Sequence, residues 1–133
     1  MMENNPVVAL CVAGTQAEFR GQTGQARGLY RRAWELAGDD FEACVAAHYM
    51  ARHQSDPEQR MHWNLLALQH AEASSDGRVR AFYPSLYVNM GYACELLGQI
   101  EQAQRYYEQA AALGLEHDPN GTCGGKNRSL MGG

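Results

Sequence analysis

One spacing pattern occurs twice in this chain, and it narrows the possible folds more than any other feature. Leu10, Ala13, Gly14, Ala17, Gly21, Ala26, Tyr30 and Ala33 stand 3, 1, 3, 4, 5, 4 and 3 residues apart. Tyr87, Met90, Gly91, Cys94, Gly98, Ala103, Tyr107 and Ala110 repeat those intervals. Steps of three and four place residues on one face of a helix, and the glycine inside each set marks a turn between two helices. One helical hairpin cannot bury its own apolar face, so a recurring hairpin predicts several packed in tandem.

Composition agrees with helices. The chain has 133 residues with 45% apolar and 20% charged side chains, enough to bury a core within one domain. It holds 19 Ala but only 10 Val, Ile and Thr together. Ala, Leu, Glu, Gln and Arg favour helices, whereas strands want β-branched residues. The expected class is all-α.

Six helices follow from the punctuation. The first starts at Asn5-Pro6, a cap followed by proline in the first turn, and stops near Gly21. Thr23 is expected to cap the second, and Gly38-Asp39-Asp40 to end it and cap the third, over about 41–53. Asp56 and Pro57 open the fourth, to about Ala73. The fifth covers about 81–97, with Pro84 tolerable only near its start, and the sixth about 100–113. Residues 118–133 are Gly-rich and are expected to form a flexible tail.

A third, degenerate copy of the pattern lies 34 residues after the first: Cys44, Ala47, His48, Ala51, Ser55, Arg60, Asn64 and Ala67. His48 stands where the other copies have glycine, and Asn64 where they have tyrosine, with Trp63 beside it to fill the gap. The last copy begins 43 residues further on, so nine extra residues fall around 73–81 and are expected to lengthen helix four, helix five or both.

With these small residues, the turn glycine and the aromatic at a period of 34, the chain resembles the tetratricopeptide repeat family, and in particular its small bacterial-type members. The resemblance covers about residues 5–117 and implies one domain over 1–117, with repeats at about 7–40, 41–74 and 84–117. These would stack as a short right-handed α-solenoid. In this family the first helix of each repeat lines a concave groove that holds a peptide or protein segment. The resemblance assigns to that row Val8, Cys11, Thr15, Glu18 and Phe19, then Glu42, Val45, Tyr49, Arg52 and His53, then Ser85, Val88, Tyr92, Glu95 and Leu96, with Asn89 at its edge. The candidate partner residues are Thr15, Glu18, Phe19, Tyr49, Arg52, His53, Ser85, Asn89, Tyr92 and Glu95, since aromatics and Arg are common interface anchors. Some members clamp a peptide carboxylate with Lys, Asn and Arg. Cys11, Thr15, Ser85 and Asn89 stand in those places, so no such clamp is expected.

Other chemistries find little support in the residues. The net charge is −4, and no basic stripe suggests nucleic acid. No apolar run is long enough to span a membrane, and a cytoplasmic location is expected. His48 and His53 are five apart and do not share a helix face, and His62 and His70 have no evident carboxylate partner, so no metal site is expected. Cys11, Cys44 and Cys94 sit on apolar faces and should be buried thiols, with Cys123 in the tail. The only lysine, Lys126, follows glycines in a segment without the P-loop spacing. No nucleophile–base spacing appears, so neither a catalytic residue nor a cofactor is expected. The expected function is a non-enzymatic interaction module. The alternative is a self-associating, homodimeric helical assembly module or a fragment of a larger regulator, because the last repeat has no evident capping helix.

Overall fold

A computed structural model of the chain describes residues 5–117, and all of their regular structure is helical. The helices are α1 (Pro6–Phe19), α2 (Thr23–Leu36), α3 (Asp40–Ala51), α4 (Pro57–Ala73), α5 (Tyr83–Leu96) and α6 (Ile100–His117), with a 3-10 helix at Gly77–Phe82 before α5. No helix among the described residues is long and apolar enough to cross a membrane. The expected tail, 118–133, and Cys123 lie outside the described residues.

Each boundary has a local cause. Asn5 Oδ1 accepts from Val7 N at 2.9 Å and Val8 N at 3.2 Å, and Pro6 needs no donor in the first turn. Asp39 accepts from Glu42 N at 2.8 Å, and Asp56 from Gln59 N at 3.3 Å. Thr23 does not cap α2. It is the first helical residue, and Gln22 precedes it without a side-chain cap. The turn leaves no room for a separate cap. Gln22 N already closes α1 by donating to Ala17 O at 2.8 Å, while Gln22 O accepts from Ala26 N at 3.0 Å. One residue ends one helix and begins the next.

This hinge recurs between α5 and α6. Gly21 has φ +76° and donates to Glu18 O at 2.9 Å; Gly98 has φ +79° and donates to Glu95 O at 3.0 Å. Gln99 repeats the role of Gln22, donating to Cys94 O at 2.8 Å and accepting from Ala103 N at 3.0 Å. Only glycine takes this left-handed conformation cheaply, which fixes it at both positions.

The described chain falls into two compact units, one through Val79 and one from Arg80. In the first, α1 packs on α2 and α3 on α4, and α3 also packs against α1 and α2. That double duty explains why α3 is buried on nearly every side, at Phe41, Ala43, Cys44, Val45, Ala46, Ala47, Met50 and Ala51. In the second, α5 packs on α6.

Both outer pairs are held at one close contact. A Cβ on Gly14 would lie 2.3 Å from Tyr30 Cε1, and one on Gly91 would lie 2.6 Å from Tyr107 Cε1. Each tyrosine ring therefore lies flat on the backbone of the facing helix, which only a glycine allows. In the middle pair the large and small partners change sides: His48 stands on α3 and Asn64 on α4. Asn64 is 3% exposed, and its Oδ1 has no hydrogen-bond partner. A buried unsatisfied acceptor costs about 1–3 kcal/mol, so this pair is the less well satisfied one.

The extra residues after α4 do more than lengthen helices. α4 has 17 residues against 14 in α2, but α5 has 14 like α1 and starts at Tyr83, not near 81. The rest form the connector and the 3-10 helix. Ser74 Oγ accepts from Asp76 N at 3.1 Å, Asp76 holds Arg78, and the Arg78 guanidinium lies 4.2 Å from the centre of the Phe41 ring. The bonds from Arg78 keep the Asp76 carboxyl down at about 2. Pro84 falls in the first turn of α5, where it removes no helical bond.

Candidate functional site

The best-built polar cluster lies in the first unit, where the C-terminal half of α1 meets that of α3. α1 supplies Thr15 and Glu18, α2 supplies Tyr30, α3 supplies His48 and Tyr49, and the turn after α3, which ends at Ala51 and not near 53, supplies Arg52 and His53. The packing of α3 on both α1 and α2 makes this meeting possible.

Glu18 sits at the centre. One oxygen accepts from Arg52 Nη2 at 2.9 Å, and the other lies 2.5 Å from His53 Nε2. The Glu18 and His53 side chains are 19% and 11% exposed, while Arg52 is 46% exposed. The Glu18 carboxylate is thus mostly enclosed with both oxygens partnered, and the guanidinium projects to water. An arginine fixed by a carboxylate and an aromatic ring loses less freedom on binding than a free one.

The rings form the floor. Tyr30 stacks on Tyr49 with centroids 5.1 Å apart and lies 5.3 Å from His53. Arg52 stands 5.6 Å from the Tyr49 centroid, within cation–π range. Thr15 Oγ1 donates to Cys11 O at 3.1 Å and lies 3.4 Å from Tyr30 Oη. Burial is the main cause that raises the Tyr30 phenol above its usual range, opposed by the Thr15 hydrogen bond. His48, half-buried beside Tyr49, is pushed down to about 4, first by burial and then by the charge of Arg52.

Chemically, the cluster offers a stacked aromatic surface and one accessible cation. The nearby thiols are passive: burial pushes Cys11 and Cys44 up to about 12. No group of three or more His, Cys, Asp or Glu among the described residues could hold a metal ion.

Five of the candidate partner residues come together here: Thr15, Glu18, Tyr49, Arg52 and His53. Phe19 is 86% exposed. Ser85, Asn89, Tyr92 and Glu95 belong to α5 in the second unit. There Glu95 accepts from Tyr107 Oη at 2.8 Å, Tyr92 is 45% exposed, Ser85 is exposed and Asn89 is half-buried. Cys11 and Val45, assigned to the groove row by the resemblance, are 2% and 4% exposed, too enclosed to meet a ligand.

Two features escaped the sequence. Tyr30 is the ring on which the cluster rests, yet the pattern marked it only as packing. A usable signal was present, because Glu18 and Arg52 are opposite charges 34 residues apart, one repeat period. His70, without an evident partner in sequence, bonds Asp40 at 2.8 Å and lies edge-on to Trp34, which packs against Trp63 at 5.1 Å. No helix spacing links positions 40 and 70, so only the packing of α3 on α4 could bring them together.

No family model, curated protein or solved structure matches the chain.

Proposed function

We propose that the chain is a small tetratricopeptide-like protein of three tandem helix pairs and that it binds a protein or peptide segment without catalysing a reaction. The observation that carries the proposal is the braced Arg52: half exposed, held by Glu18 and seated over Tyr49. A bound segment would lay apolar side chains on Tyr49 and place an acceptor, such as a carboxylate or backbone carbonyl, on Arg52. The repeat assignment is supported by the two hinges and the two glycine–tyrosine contacts, which recur 77 residues apart with the same bonds.

The test is selection of random displayed peptides on the full chain, followed by calorimetry on the winners. Micromolar peptides that bind about tenfold more weakly to Tyr49→Ala or Arg52→Ala, with unchanged circular dichroism, are the expected result. An absence of enrichment, or binding indifferent to both substitutions, would overturn the proposal.

A further inference from the structure

α1 has no charged side, yet one of its sides is open to water. Over Pro6–Phe19 the only charged residue is Glu18, and Arg52 and His53 hold it. A helix of this composition is ordinarily enclosed all round. Ala9, Val12, Gln16 and Phe19, spaced 3, 4 and 3, form one stripe along α1, and all four are exposed, Val12 at 51% and Phe19 at 86%. The open side of α2 differs, because it carries Arg27, Arg31, Arg32 and Glu35.

The corresponding stripe of the next pair shows what these positions do. One period of 34 residues on stand Ala43, Ala46, Met50 and His53. His53 lies 5.3 Å from the Tyr30 ring and bonds Glu18, so this stripe faces the first helix pair. Ala43, Ala46 and Met50 are buried. On α3 the stripe is a helix-packing surface, and on α1 the same positions remain exposed.

The α1 stripe is complementary to itself. A two-fold axis between Val12 and Gln16 sets the Phe19 ring of one copy over Ala9 of the second copy, so large meets small at both ends. Val12 then meets Gln16 of the second copy. The stripe carries no charge, so no like charges meet on it, and the antiparallel alignment sets opposite ends of the two helix dipoles together. We propose that this chain forms a two-fold symmetric dimer in which the Ala9–Val12–Gln16–Phe19 stripe of α1 packs antiparallel on its copy. The contact lies wholly within the first unit. Such a pairing uses the same patch on both copies and closes on itself, so assembly stops at two. The stripe is much smaller than a standard interface of about 20–30 residues a side, so the dimer is weak, with a Kd on the order of 100 μM. None of this rests on the ligand proposed for Arg52.

Sedimentation of the full chain over a hundredfold range of concentration around that Kd tests it. The weight-average mass is expected to climb from 14.7 kDa toward a plateau at twice that value, equally at low and high salt. Phe19→Ser should weaken the dimer about tenfold for each of the two rings removed, with unchanged circular dichroism because the ring is exposed in the single chain. Val12→Lys and Gln16→Glu should each weaken it too. An equimolar mixture of these two variants should associate more tightly than either alone, because the new cation of one copy then meets the new carboxylate of the other. A monomeric mass throughout would overturn the proposal. So would a mass that climbs past the dimer, a dimer that Phe19→Ser leaves intact, or a mixture that associates no more tightly than its parts.

Discussion

The first and last helix pairs share a hinge, a glycine–tyrosine contact and a glutamate one residue after the helix's last small residue, yet their tyrosines and glutamates behave differently. Tyr30 is sealed and Glu18 bonds Arg52 and His53 from the turn after α3; Tyr107 is half open and Glu95 holds that tyrosine. The local sequence sets the internal geometry of a pair. What lies on its outer face sets how much each shared residue contributes.

Truncating the two tyrosines should separate these effects most strongly. Tyr30→Ala removes a fully enclosed ring between three helices and should cost about 4 kcal/mol, while Tyr107→Ala should cost about half of that. Denaturant unfolding followed by circular dichroism measures both. Equal losses would mean that covering by α3 adds nothing to Tyr30.

The middle pair offers a third version of the same position, with His48 in place of glycine. Its native state holds the imidazole at about 4 against 6.5 when unfolded. Between those values the unfolded chain binds a proton that the folded one resists. The stabilisation is therefore complete above pH 6.5, is lost as pH falls toward 4, and changes no further below. The span corresponds to roughly 3 kcal/mol. His48→Gln should flatten that part of the stability profile relative to the unsubstituted chain, as read by unfolding at a series of pH values. A parallel profile would show that His48 does not titrate with folding.

The glycines test how rigidly each ring is held. Gly14→Ala drives a methyl into Tyr30, which has nowhere to move, and should cost about 2 kcal/mol after the gain in helix propensity. Gly91→Ala meets a ring with one open side, which can swing away, and should cost about 1 kcal/mol or less. Thermal unfolding of the two variants gives the comparison, and a reversal of the order would place the tighter constraint in the last pair.

What the sequence disclosed follows from distance along the chain. The turn glycines Gly21 and Gly98, the proline positions and the caps at Asn5, Asp39 and Asp56 act within a few residues, and they read correctly, whereas α6 runs to His117 and not to about 113. Thr23 misled because a tight hinge merges the cap with the end of the previous helix, so a good cap residue was not needed. The residues around 73–81 misled because a 3-10 helix has no apolar period of its own to read. Of the site, Glu18, Tyr49, Arg52 and His53 were marked as candidates one by one, but the bond between Glu18 and Arg52 was not read, although they stand 34 residues apart. The burial of Cys11 and Val45 was not, because it depends on α3 touching two helices at once, and the Asp40–His70 bond depends on α3 lying on α4.

The smallest expected difference lies in the two glutamates. Glu18→Gln keeps the shape of the side chain but leaves Arg52 and His53 without their shared carboxylate. Because Glu18 and His53 are mostly enclosed while Arg52 is half in water, the loss should be about 1 kcal/mol and should shrink in high salt. Glu95→Gln still offers an amide oxygen to the Tyr107 hydroxyl, so its cost should stay within about 0.3 kcal/mol at any salt concentration. Measuring both variants at low and high salt isolates the part of the first pair's stability that arrives from α3. A salt-independent loss at Glu18 would mean that the cluster is held by ring packing, with the carboxylate only filling space between Tyr30 and His53.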